Sequence, residues 1–386
     1  MSPRRQFRPA RRRAKAPRPS TDAVQTTRTA TELAADTRHE GITVTHRFDP
    51  GADGAPFAAS IRFSGRREGI TGKPQPGDTF TIDERVDRVV PGSGPVSVTT
   101  RAYGLNPGEW TVTAQLSRSP SGAPSAGAPR SGQTLPRAGW SWLRWRLIDA
   151  PFERVPTRSS VFVRLTSMPA VIHGSWTALV ALGIVVGIAS LLVFLSYEGV
   201  APGPALLVAV VAVAGGIVGA KVWYIVLRPR QWRQTSFGEG FSIDGSIVGA
   251  PIAAVIAMLV LNLPVLAFLD AGTPAFFVGV GVGRLGCFLT GCCAGRCTAS
   301  RWGIWSSDRR VGARRIPTQL LEAGLGIGLA IVFGALDISG IVPVDGLVFV
   351  VGIGSYLAGR QLLLRLRADA RSSSLGMEGR RRASAV

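Results

Sequence analysis

The sequence predicts a mixed fold: a small β-sandwich-like domain near the amino terminus, followed by an all-α polytopic membrane domain of about six transmembrane helices. Three observations carry this expectation. A mean hydropathy of +0.23 with 46% hydrophobic residues is too apolar for 386 residues of soluble domains. Short runs of alternating polarity fill residues 40–118, and long uncharged apolar stretches fill much of the chain beyond 177.

The chain is strongly basic, with 44 Lys and Arg against 24 Asp and Glu and a formal charge of +20. Such an excess suits nucleic acid or an anionic membrane. Its placement beside apolar stretches favours the membrane and argues against nucleic acid. Residues 1–38 begin with Arg4, Arg5, Arg8, Arg11, Arg12, Arg13, Lys15 and Arg18 and are expected to form a disordered basic tail. Polar residues follow, with no apolar core and cleavage site, so no cleavable signal peptide is expected.

Residues 39–118 contain ITVTHRF, FAASIRF, TFTIDERV, VSVTTRAY and EWTVTAQL, which alternate as half-buried strands do. The intervening PGADGAP, TGKPQPGD, PGSGP and LNPG supply turn residues. An antiparallel sandwich is expected, with His46 on a strand surface. Residues 119–170 read as a Pro/Gly/Ser linker and then an interfacial amphipathic segment, in which Trp140, Trp142 and Trp145 alternate with arginines.

Residues 171–367 carry the membrane signal. Apolar stretches at 177–195, 199–220 and 245–269 each suffice to span about 30 Å of hydrocarbon. Weaker spans are expected at 271–293, 317–336 and 341–363, and residues 368–386 form a basic carboxy-terminal tail. Lys221, Asp244, Arg284, Glu322 and Arg360 fall within or at the edge of these helices. A charge at mid-membrane costs about 2.5–3.5 kcal/mol, so these groups are expected to face one another or a wet cavity. The loops at 228–239 and 296–315 and the final tail are basic, while those at 196–203, 270–273 and 337–345 carry no Lys or Arg. Positive-inside placement puts both termini in the cytoplasm of a multi-pass cell-membrane protein.

The densest motif is GVGVGRLGCFLTGCCAGR, residues 279–296. Its Gly281, Gly283 and Gly286 match GxGxxG, but the surroundings are transmembrane rather than βαβ, so close helix packing explains the glycines better than a dinucleotide. Arg284 and Arg296 stand about 18 Å apart on an unbroken helix and can share a phosphate only if Gly291 and Gly295 break it. The cysteines Cys287, Cys292, Cys293 and Cys297 contain no CxxC pair. On a continuous helix Cys292 points about 100° from Cys293 and Cys297. No metal site is expected from that spacing, although a reactive thiol or disulfide stays open.

GRLGCFLTGCCAGR, with FSIDGSIVGA (241–250) before it and IPTQLLEAG (316–324) after it, resembles the prolipoprotein diacylglyceryl transferases. The likeness runs from SWTALVALGIVVG (175–187) through VGAKVWYIVL (218–227) to YLAGRQLLLRLR (356–367), about half the chain. It most resembles a divergent branch with a GCF-x-GCC pattern. The resemblance implies a membrane transferase that moves diacylglyceryl from phosphatidylglycerol to the lipobox cysteine thiol in the signal-peptide region of a prolipoprotein, without a cofactor. By the same resemblance Arg284 and Arg360 bind phosphate with Arg296 beside them, Gly291 and Gly295 are the signature glycines, and Gln319 and Glu322 keep their family positions. It also implies an outer location for regions that the charges place inside.

Departures from the family pattern define the alternatives. Asp244 stands where the family has its catalytic histidine, Trp176 replaces a tyrosine, Ile316 a histidine and Leu364 an acid. Cys287, Thr290 and Cys292 occupy the sites of two asparagines and a glutamate. Asp244 and Glu322 are the expected catalytic pair, with Asp244 as base if desolvation raises its pKa. The alternatives are a phospholipid-binding protein that has lost the chemistry and a thiol-redox protein using the cysteines.

Overall fold

A computed structural model describes residues 40–120, 133–135, 138–149, 154–227 and 242–368. The expected tail at 1–38, all but Ala368 of the tail at 368–386, and most of the Pro/Gly/Ser linker lie outside the described residues.

The amino-terminal half is a two-sheet β domain. Strands β1 (Glu40–Phe48), β2 (Phe57–Arg67), β3 (Thr79–Val89), β4 (Val96–Leu105) and β5 (Glu109–Pro120) coincide with the five alternating runs. In β1 the alternation puts Ile42, Val44, His46 and Phe48 on one buried face. His46 is therefore 5% exposed and stacked on Phe48, not on the surface, and burial pushes its pKa down. Trp110, Phe63, Ile61, Val98 and Val112 fill the core at 0% exposure. Each such side chain contributes about 1.5–3 kcal/mol by leaving water.

The described residues between 133 and 165 contain further elements. They supply β6 (Gln133–Thr134), β7 (Ala138–Ser141), β8 (Arg146–Asp149), β9 (Arg154–Pro156), β10 (Arg158–Ser159) and a short helix α1 (Ser160–Leu165). β6 and β9 pair with β5, and β10 pairs with β1. The tryptophan segment forms the β7–β8 hairpin.

The carboxy-terminal half contains α2 (Ser175–Tyr197), α3 (Pro202–Leu227), α4 (Ile243–Val260), α5 (Val265–Thr290), α6 (Thr318–Ser339) and α7 (Leu347–Leu364). Among the described residues five of these are long and apolar enough to cross a membrane: α2, α3, α5, α6 and α7. Among the described residues α4 contributes a shorter apolar helix, Val248–Val260. The expected break at 270–273 lies inside α5. The helices part instead between Leu261 and Pro264, where Asn262 takes a left-handed φ of 53° and Pro264 caps α5. Asp270, 7% exposed, accepts from the N–H groups of Gly346 (2.6 Å) and Phe349 (2.7 Å) and so closes the start of α7.

The glycines let backbones touch. A Cβ on Gly183 would stand 2.7 Å from the carbonyl of Gly279, which joins α2 to α5, and one on Gly326 would stand 3.0 Å from the carbonyl of Phe277, which joins α6 to α5. Of the GxGxxG glycines, Gly281 faces α6 and Gly286 faces α2.

Between α5 and α6 the chain forms a hairpin of β11 (Ile304–Ser307) and β12 (Val311–Arg315), and β12 pairs with β4. One sheet therefore reads β10-β1-β4-β12-β11, and the other β3-β2-β5-β6 with β9 also on β5. Val311 and Ala313 are buried in the sandwich core, far along the chain from its other strands. Trp140 stacks on Trp305 at 4.9 Å, and Trp145 stacks on Phe288 while its Nε1 donates to the carbonyl of Trp305 at 2.9 Å. The tryptophan hairpin thus docks on the inserted hairpin and the end of α5.

Candidate active site

Helices α2, α3, α5 and α7 line an open cavity of about 1040 Å³. Antiparallel packing sets its polarity: Ser175 Oγ meets Thr290 Oγ1 at 2.7 Å at one end, and Gly187 faces Ala275 toward the other. The apolar part is lined by Ile184, Ile188, Leu191, Ala212, Val213 and Phe276. The polar end holds Arg101, His173, Arg284, Arg309 and Arg360 together with Cys287, Cys292, Cys293 and Tyr356. Trp176 and Leu191 on α2 both line it, which gives a length of about 22 Å. A slot with cations at one end and aliphatic walls along the rest matches an anionic phospholipid.

The cations are held from behind. Arg284 Nε is 2.8 Å from Glu322 Oε2, and Arg367 Nη1 is 3.9 Å from Glu322 Oε1, with the Glu322 side chain 2% exposed. A buried carboxylate of this kind persists only with such partners. On the rim, Arg101 of the sandwich and His173 converge on the Thr166 carbonyl at 3.1 and 3.0 Å. Arg309 Nε donates to the Thr290 carbonyl at 2.9 Å.

The end of α5 shapes the floor. Gly291 is its left-handed cap (φ 70°), where a Cβ would stand 2.6 Å from the Ser307 carbonyl. Cys293 is also left-handed, with φ 56°. Gln319 Nε2 donates to the Cys292 carbonyl at 2.8 Å, and Thr318 Oγ1 to the Cys293 carbonyl at 3.2 Å. This turn brings the sulfurs of Cys287, Cys292 and Cys293 within 4.8 Å of one another, which their spacing on a continuous helix forbids. Cys292 Sγ donates to the Cys287 carbonyl at 3.7 Å, and Arg284 lines the cavity beside the three thiols.

Of the residues expected from sequence, Arg284 and Arg360 line the cavity and Glu322 backs Arg284. Gly291 ends α5 as its left-handed cap. Gly295 lies in the following segment, bridged to Arg367, and a Cβ there would meet the Ile316 carbonyl. Arg296 does not reach the cavity: it is exposed, and its Nε donates to the Arg367 carbonyl at 3.3 Å. Lys221 does not line the cavity. Asp244 lies in the first turn of α4, and its side chain is outside the described residues. Sequence reasoning missed Arg101, Arg309, Tyr356 and Arg367. Tyr356 and Arg367 carried a signal, as the first and last residues of the last family motif.

Comparison with known proteins agrees with this geometry. The family described as prolipoprotein diacylglyceryl transferase matches residues 163–385. The phosphatidylglycerol–prolipoprotein diacylglyceryl transferase of Clostridium tetani (strain Massachusetts / E88) is 32% identical over 173 residues, which cover 43% of this chain and 69% of that protein. The protein of that name from Dehalococcoides mccartyi (strain ATCC BAA-2266 / KCTC 15142 / 195) is 29% identical over 182 residues, covering 44% and 67%. Transferase 2 of Clostridium perfringens (strain 13 / Type A) is 32% identical over 123 residues, covering 30% and 48%. The matched region takes in every helix that walls the cavity and both cavity-lining arginines of the motifs, so the chain belongs to the prolipoprotein diacylglyceryl transferase family.

Proposed function

We propose that this chain acts in lipoprotein biosynthesis, moving the diacylglyceryl group of phosphatidylglycerol onto the cysteine thiol in the signal-peptide region of a prolipoprotein. One observation carries the reading: Arg284 and Arg360 stand at the polar end of an otherwise aliphatic cavity. The thiol sulfur attacks the glyceryl carbon, the C–O bond to phosphate breaks, and glycerol phosphate leaves with the electron pair. Fixed guanidiniums stabilise the charge that grows on that phosphate. Arg284 and Arg360 hold it through their planar forks, and Glu322 orients Arg284 by engaging Nε. Asp244 accepts the thiol proton.

The protein is a multi-pass membrane protein, and we place it in the cell membrane with both termini in the cytoplasm. The sandwich, the 296–315 segment and the end of α7 share one face, since β12 pairs with β4 and Gly295 bridges Arg367. Positive-inside charge assigns that basic face to the cytoplasm. Reporter fusions that find the sandwich outside overturn this orientation. For the reaction, purified protein is given labelled phosphatidylglycerol and a lipobox peptide. Transfer of label supports the reading, whereas lipid binding with no transfer in wild type refutes it.

A further inference from the structure

The reaction as described leaves the cysteines unused. Cys287, Cys292 and Cys293 have their sulfurs within 4.8 Å of one another, and all three line the cavity. Zinc–sulfur bonds of about 2.3 Å place tetrahedral sulfurs about 3.8 Å apart, inside that limit. The backbone that presents them is fixed by groups other than the sulfurs: the left-handed Gly291, and Gln319 and Thr318 on the carbonyls of Cys292 and Cys293. Cys293 holds a left-handed φ of 56°, a conformation that costs a non-glycine residue about 1–3 kcal/mol. Cys297 stands apart, packed against the sandwich core.

Charge favours the same conclusion. Three thiolates and one divalent ion sum to a single negative charge. Arg284 and Arg367 beside Glu322, with Arg360 in the same cavity, leave a net positive surround that offsets it. We propose that Cys287, Cys292 and Cys293 bind one zinc ion whose fourth position opens on the cavity and receives the substrate thiol. The second half of this proposal rests on the transferase reading. A thiol at that position gives up its proton more readily. With the proton given to the acceptor that the transferase reading assigns, the S–C bond forms as the C–O bond breaks, and the C–O electron pair leaves on glycerol phosphate.

The test uses full-length protein in detergent, with thiols trapped at lysis for one portion. Metal is measured by elemental mass spectrometry. The stripped protein is then titrated with Zn²⁺ and with Co²⁺, whose thiolate absorption reports sulfur ligation. The expected result is one zinc per chain. Cys287→Ser, Cys292→Ser and Cys293→Ser should each weaken zinc binding by at least about 100-fold, the upper end of what losing a group hydrogen-bonded to a ligand costs. Cys297→Ser should leave it unchanged. A lipobox peptide should shift the Co²⁺ absorption, and its Cys→Ser version should not. The proposal is overturned by wild type that takes no zinc at micromolar free ion, by cysteine variants that keep it, by a spectrum indifferent to the peptide, or by a disulfide among the three in the trapped protein. Neither readout needs turnover. Protein that loads zinc and peptide yet transfers no lipid sinks the transferase reading alone, and zinc-free protein that transfers at full rate sinks this proposal alone.

Discussion

Arg284 on α5 and Glu322 on α6 form a buried pair, Nε to Oε2 at 2.8 Å, so that each helix carries the counter-ion of the other. Removing one partner from such a pair typically costs about 3–5 kcal/mol, because the remaining charge is stranded. Glu322→Ala should therefore lower the thermal midpoint in detergent clearly, and Glu322→Gln should lower it less. A midpoint unchanged in both would show that the pair does not hold these helices together.

Arg284→Lys keeps the charge but removes the fork. If phosphate recognition is bidentate, phosphatidylglycerol binding and transfer should each drop at least about 10-fold, the equivalent of about 1.4 kcal/mol. Arg360→Ala should do the same, while Arg296→Ala, at an exposed position, should leave binding near wild type. Binding isotherms with labelled lipid decide among these.

Asp244→Asn separates binding from chemistry. Loss of a proton acceptor should spare lipid affinity and reduce turnover by about 10²–10⁴-fold, the usual worth of general base catalysis. Equal losses in both would reduce Asp244 to a structural role.

The sandwich should show its own acid transition. Asp78 is held at about 2 rather than 3.8 by the Asn106 side-chain amide, the Gln75 N–H and Arg67. A folded-state value below the unfolded one stabilises the fold fully above the unfolded value, and that contribution is lost as pH falls from 3.8 toward about 2. Fluorescence of buried Trp110 should report unfolding in that window. In Asp78→Asn the pH dependence there should flatten.

Val311 is 5% exposed in the sandwich core although it belongs to the segment between α5 and α6. Val311→Asp places an unpaired charge among apolar side chains, so it should open the amino-terminal sandwich to protease. Cleavage kinetics indistinguishable from wild type would show that the inserted hairpin is dispensable there.

Strands β1–β5 and the apolar helices were readable because their patterns depend only on near neighbours: alternation for a half-buried strand, an uncharged run for a span. Arg284, Glu322 and Arg360 were readable for a related reason, since charges in apolar runs must find partners. Even His46 obeyed the same alternation as Ile42 and Val44, and reading it as a surface residue ignored that parity.

Pairing across distance was not readable. Nothing local to β12 states that it will cover β4, that Arg101 will reach the cavity, or that Arg367 will join Arg284 on Glu322. Those choices follow from which faces bury one another. The cysteine group shows the limit most clearly: spacing on an unbroken helix scatters the sulfurs, and the left-handed Gly291, with Gln319 and Thr318 of α6 on the carbonyls of Cys292 and Cys293, brings them together.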